Sequence, residues 1–219
     1  IIQSGPSIRT LSSRRATANA RALMQALGVT DVAALCDVSA DELRTTAESL
    51  SAQWAPVVDG VHLPVHPFDP VPAPTALDIP ILIGTNRDES ALYLVDDPRR
   101  GSLTDAELAE RSERILGDQR DAVLAAFRAS RPSATPWELF VAISSQRFHH
   151  GSILLAERQS AATSTPIWMY SFEFEGTGPI GPAHGLEIAY VYAPPGCESM
   201  TTSKPPLPFG THLSARRAS

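Results

Sequence analysis

Cysteine is nearly absent: Cys36 and Cys197 are the two among 219 residues, and neither has a second Cys or a His at metal-ligand spacing. That excludes a disulfide-dense framework and a Cys/His zinc site. One Cys36–Cys197 bridge stays open, but two unrelated thiols are expected, because positions so distant must meet within the narrow Cα separation of a disulfide. No apolar run approaches the roughly 20 residues that cross a bilayer, so no membrane span is expected, and the first residues lack the order of a signal peptide. Basic residues are outnumbered, 18 Lys and Arg against 24 Asp and Glu, for a net charge of −6. Without a long basic run there is no footprint for a phosphate backbone, and nucleic acid is not an expected partner. Four of the histidines, His62, His66, His149 and His150, make no convincing ligand set, since the first two lie in a Pro-rich stretch and the last two are adjacent on different sides of a helix. No metal is expected. Also missing is a G-x-S-x-G elbow. The nearest approach, "GPSIR", lacks the second Gly, so neither Ser7 nor Ser4 is expected as a nucleophile.

What is present can bury a core: 43% of residues are hydrophobic, with 3 Trp and 7 Phe. After the strand-like start "IIQS", residues Ala16, Ala20, Leu23, Met24 and Leu27 recur near helical spacing, with Ser12 or Ser13 to cap the start and Gly28 to stop it. "DVSADELRTTAESLSAQ" predicts a second helix with a Ser39/Glu42 capping box. The proline-rich stretch from Trp54 to Asp78 predicts an extended loop. A buried strand is expected over Ile79–Ile83, followed by a Gly-Thr-Asn turn. Helices are then expected near Thr104–Leu116, Gln119–Ala129 and from Pro136 toward Ala162, with a further strand in "PIWMYSFEF". Strands alternating with helices imply an α/β fold with a parallel sheet. From Ala193 onward neither period persists, and an irregular, poorly ordered tail over 193–219 is expected after a domain over 1–192.

Three charges follow the strand in "DIPILIGTNRDESALYL": Arg87, Asp88 and Glu89. In an open α/β sheet, ligands and catalytic groups gather beyond the carboxyl ends of strands. His184, in "GTGPIGPAHGLEIAYVY", follows the later strand in the same way, ahead of a short helix. A carboxylate after one strand and a histidine after a later one have the order of the last two members of a Ser…Asp/Glu…His triad. Arg87 and Asp88 read as a local ion pair of little energetic weight.

The segments "IIQSGP", "PVVDGVHLP", "IPILIGTNRDE", "TPWELFVAIS", "PIWMYSFEF" and "HGLEIAYVY", in this order, resemble the C-terminal half of the type B carboxylesterases, the family that includes the cholinesterases and para-nitrobenzyl esterases. The resemblance implies the C-terminal part of an α/β-hydrolase fold, with the serine nucleophile and the oxyanion loop upstream of Ile1. It implies Glu89 as the triad acid, His184 as the base and Glu187 as a supporting hydrogen-bonding residue. It implies no cofactor and a small-molecule ester as substrate. The resemblance departs at Ser145 and Gly151, where the family carries Asp and Pro, and ends at Tyr192. The expectation is therefore a fragment of a serine carboxylesterase that acts through an acyl-enzyme, with its nucleophile outside this chain. The alternative is a catalytically inactive hydrolase-like binding module or the product of a truncated gene. Compartment and oligomeric state are not readable.

Overall fold

The structure, a computed structural model, describes residues 1–175, 180–192 and 216–217. In chain order the elements are β1 (Ile2–Gln3), β2 (Leu11–Ser12), α1 (Ser13–Leu27), α2 (Ala40–Ser49), β3 (Val57–Val58), β4 (Ile81–Asn86), α3 (Asp105–Leu116), α4 (Arg120–Ser130), α5 (Pro136–Ala162), β5 (Ile167–Phe172), α6 (Leu186–Tyr192) and β6 (Arg216–Arg217). Short 3-10 turns fill four connections, among them Glu89–Leu94. The chain forms two compact units, Ser7–Leu77 and the remainder, a division that composition does not announce.

In the Ser7–Leu77 unit, Ser12 caps α1 by accepting from the Arg15 N–H at 3.3 Å, and Gly28 ends it in the left-handed region at φ 68°. Gly is suited to that conformation because no Cβ opposes it. Ser39 caps α2 by accepting from Glu42 N–H. The reciprocal capping box expected there appears instead at Thr104/Glu107 on α3 and Thr135/Glu138 on α5. The proline-rich stretch is less irregular than expected: β3 pairs in parallel with β2, and Pro74–Ala76 forms a 3-10 turn. Asp59 organises the intervening loop by accepting from the amides of Val61, His62 and Leu63 at 2.9 Å. The Leu63 and Val61 amides lower its carboxyl to about 2.

The larger unit is built on a sheet ordered β1-β4-β5-β6. The first three strands run parallel, in the register Ile2↔Ile83 and Ile83↔Met169. The strand expected at Ile79–Ile83 begins later and runs further. Pro80 has no N–H for a ladder, so pairing opens with the Ile81 N–H donating to Pro166 at 3.1 Å. The Gly-Thr-Asn segment read as a turn continues the strand, buried throughout. The tail also departs from expectation at one place: Arg216–Arg217 pairs antiparallel with β5. The rest of 193–219, including Cys197, lies outside the described residues, while Cys36 is an exposed free thiol.

Helix α5 spans the full predicted range and packs against β4 and β5. Its consecutive residues Leu139–Ile143 are all buried, a pattern that fits a helix covered on several sides rather than one with a single apolar stripe. Leu139, Phe140 and Ile143 join Leu103, Leu108 and Leu124 in a core beneath α3 and α4. Each such side chain contributes roughly 1.5–3 kcal/mol by leaving water. Among the described residues no helix is long and apolar enough to cross a membrane.

Gly84 and Tyr170 are paired across the sheet, and the phenol ring lies directly over the glycine. A Cβ on Gly84 would stand 2.2 Å from the ring. Gly84→Ala is therefore expected to lower unfolding stability in urea by about 1–3 kcal/mol through overpacking, and much of that loss should be recovered in Gly84→Ala/Tyr170→Ser. A second expectation concerns acid. The Arg99 guanidinium, with help from the Thr104 amide and hydroxyl, holds the Glu107 carboxyl at about 2, against an ordinary 4.5. A depressed folded pKa adds stability above the unfolded value and loses it as pH falls. The Tm gap between wild type and Glu107→Gln should thus be full above about pH 5 and close progressively toward pH 2.

Candidate active site at the carboxyl end of the central strand

Asn86 is the last residue of β4, and the chain turns there into the 3-10 segment that begins with Glu89. The Glu89 side chain is fully buried. A buried carboxylate is costly unless donors surround it, and Glu89 has three. Its Oε1 accepts from the Asn86 N–H at 2.7 Å and from the Ser4 hydroxyl, while its Oε2 faces His184 Nδ1 at 2.7 Å. A carboxylate only accepts, so Nδ1 carries a proton here, and in the neutral form of the ring that leaves Nε2 its lone pair. The backbone closes the same junction, with the His184 N–H donating to the Glu89 carbonyl at 3.3 Å and the Asp88 N–H to Pro182 at 3.1 Å.

Asn86 joins the acid to the histidine loop. Its buried Nδ2 donates to the Ala183 carbonyl at 2.6 Å and to Glu187 Oε2. Its carbonyl is within 2.8 Å of His149 Nε2, whose other ring nitrogen faces Gln146. Glu187 is also buried. It takes hydrogen bonds from Asn86 and from Gln3 Nε2 at 3.4 Å, while Tyr192 donates to Gln3. Burial, followed by the nearby Glu187 charge, raises the Tyr170 phenol above its ordinary range.

The imidazole of His184 is about one-third exposed. Tyr93, at a centroid distance of 5.5 Å, and Phe148, at 5.2 Å, lie beside it with tilted rings. Asp88 points away from this network: it pairs with Arg87 at 2.7 Å, and Arg87 also reaches Glu175 at 2.7 Å. Its bond to Asp88, more than the one to Glu175, holds that guanidinium above its usual range.

The structure thus brings Glu89, His184 and Glu187 into one hydrogen-bonded cluster and leaves Asp88 with Arg87. Sequence reasoning missed Ser4 as a donor and Asn86 altogether. From sequence alone Ser4 comes into question only as a nucleophile. It adopts φ 52°, unusual for a residue with a Cβ, and is held by its own N–H to the Gly84 carbonyl at 2.8 Å. The Gly-Thr-Asn pattern predicts a turn at Asn86. The two departures also have roles: buried Ser145 accepts from the Ser90 N–H at 3.0 Å, and Gly151 leaves room for Pro6, whose ring a Cβ would approach to 2.8 Å. His62 lies beside Asp59, and His66 accepts from the Thr10 N–H.

A sequence profile described as the carboxylesterase family matches residues 1–205. The chain belongs to the carboxylesterase family. The match continues beyond Tyr192, where the sequence reading had ended the resemblance. A para-nitrobenzyl esterase of Bacillus subtilis is 27% identical over 211 residues, covering 88% of this chain and 40% of that protein. A fumonisin B1 esterase of Sphingopyxis macrogoltabida is 30% identical over 182 residues, covering 78% of this chain and 33% of its own length. The crystal structure of a Geobacillus stearothermophilus carboxylesterase at pH 6.2 superposes with a TM-score of 0.67 and 30% identity, over 89% of this chain and 42% of that one. The fold is accordingly a partial α/β hydrolase. The chain spans about two fifths of the length of such relatives.

Replacing Asn86 by Ala would leave the Glu187 carboxylate and the Ala183 carbonyl short of a donor in a buried site. The expected loss is about 1–3 kcal/mol per unpaired group. Amide hydrogen exchange should report it locally, rising at His184 and Leu186 more than along α3.

Proposed function

We propose that this carboxylesterase-family chain supplies the acid and the base of a Ser-His-Glu triad in a serine ester hydrolase, and that the nucleophile comes from residues outside these 219. The observation that carries this reading is the buried Glu89 bonded to His184 Nδ1. A carboxylate in that position fixes the tautomer in which Nε2 is free to take a proton, and it stabilises the imidazolium that results. The absence of a G-x-S-x-G elbow from the sequence supports an external serine.

The reaction follows from those parts. As the serine oxygen attacks the ester carbonyl carbon, its proton passes to His184 Nε2. The tetrahedral oxyanion collapses, the alkoxide takes the proton from the imidazolium and leaves as alcohol, and an acyl-enzyme remains. Water then repeats the cycle: His184 accepts its proton, the acid departs, and the serine is protonated again. Glu89 keeps its charge throughout. Backbone donors for the oxyanion come with the nucleophile segment. Glu187 acts through Asn86 and Gln3, by holding the strand ends beside which Glu89 is mounted. The relatives are named for different substrates, a para-nitrobenzyl ester, fumonisin B1 and phenmedipham, so family membership alone selects no ester.

The 219-residue chain alone should hydrolyse no short-chain para-nitrophenyl ester above a buffer blank. Joined to a family segment bearing G-x-S-x-G ahead of Ile1, it should turn such esters over. In that assembly Glu89→Gln should reduce kcat by about 10²–10⁴ by removing the charge that orients the imidazole. His184→Ala should abolish the acylation burst, whereas Asp88→Asn should change kcat less than about tenfold. A damaging Asp88→Asn beside a mild Glu89→Gln, both folded, would reassign the acid. A folded assembly with no turnover would favour the inactive binding module.

A further inference from the structure

We infer that Arg147 forms an anion-recognising subsite beside His184, selecting esters that carry a carboxylate on the acyl or alcohol portion. This rests on the esterase reading for the identity of the bond that is broken.

Tyr93 and Phe148 lie against the His184 ring, and the same two rings carry a cation. The Arg147 guanidinium carbon is 5.1 Å from the Tyr93 centroid and 4.6 Å from that of Phe148. One aromatic layer therefore connects the imidazole to the guanidinium. A guanidinium held over aromatic faces can still present N–H groups to a bidentate carboxylate.

Within α5 the sequence offers Arg147 no counter-charge. On α5 the positions three and four residues away are Ile143, Ser144, His150 and Gly151, so no acid on its own helix face can reach it. Among the described residues no carboxylate pairs with it. Arg87, the other arginine near the strand end, contrasts with it because both Asp88 and Glu175 hold it. Both Arg147 and Tyr93 are exposed, so the layer meets solvent. The protein's overall charge of −6 disfavours anions, but beyond about 8 Å that field is screened at physiological salt. A local cation then decides the sign of the ligand.

The test uses the 219-residue chain itself. It is titrated with monoethyl succinate and with ethyl butyrate, in which a methyl group stands where the first has its carboxylate, while the ring resonances of His184 and Phe148 are followed by NMR. Monoethyl succinate should shift those signals with a Kd at least about tenfold lower than ethyl butyrate, a margin in line with one charge-assisted pair. The margin should shrink with added salt, persist in part in Arg147→Lys, and vanish in Arg147→Met, which keeps helix propensity and an apolar stem on the rings. Equal Kd values, no shift with either ester, or a preference that survives Arg147→Met overturns the inference. Turnover by the assembled protein is judged apart: hydrolysis of neutral esters with a silent Arg147 rejects only the subsite, and anion binding without any turnover rejects only the esterase reading.

Discussion

The hydrogen bond between Glu89 and His184 is the constraint to which the rest of the larger unit answers. A fully buried carboxylate is tolerated only if its lone pairs are met, and here the donors come from three separate parts of the sequence. Ser4 follows β1, Asn86 ends β4, and His184 lies beyond β5. The parallel register of β1, β4 and β5 puts these ends side by side. A slip of one residue would turn the strand-end side chains to opposite faces and leave the charge without its partners.

Asn86 converts that alignment into rigidity. Its backbone N–H serves the acid, its carbonyl meets His149, and its side chain holds both the histidine loop and Glu187. Two buried carboxylates, Glu89 and Glu187, are thereby separated by a single amide residue that donates to each. Such a network is stable only when nearly complete, because each missing donor leaves a buried acceptor unpaired. Among the described residues the Asn86 Oδ1 accepts from no donor, so the network is already one donor short at its centre.

Much of this was legible in the sequence, and the unread parts have physical causes. The start of helix α5 was legible because Pro136 suits a first helical turn, and Thr135 and Glu138 complete a reciprocal cap there. The strand before the acid was misplaced because Gly-Thr-Asn is ordinarily turn chemistry. Tertiary packing overrode it: the Tyr170 ring covers Gly84, and the buried network takes up the polarity of Asn86. Glu89, His184 and Glu187 could be proposed from order and resemblance. Ser4 and Asn86 could not be, since a serine or asparagine near a strand end satisfies many local roles, and only the assembled sheet selects one.

Asp88 and Glu89 show how far the fold, rather than composition, divides labour between like groups. The two carboxylates are adjacent, and local sequence offers no reason to prefer either as a partner for a histidine. The 3-10 turn that starts at Glu89 separates their directions, sending Glu89 inward toward His184 and leaving Asp88 on Arg87. The difference in environment matters more than the one-residue offset. Near the surface, water screens the Asp88–Arg87 pair, and its loss costs little. Inside, Glu89 acts on the imidazole through a medium of low effective permittivity, where a fixed charge has a much larger effect on an adjacent proton. The inward position is therefore the one from which a carboxylate can hold a tautomer, and the Ser90 N–H bonded to Ser145 fixes the turn that points it there.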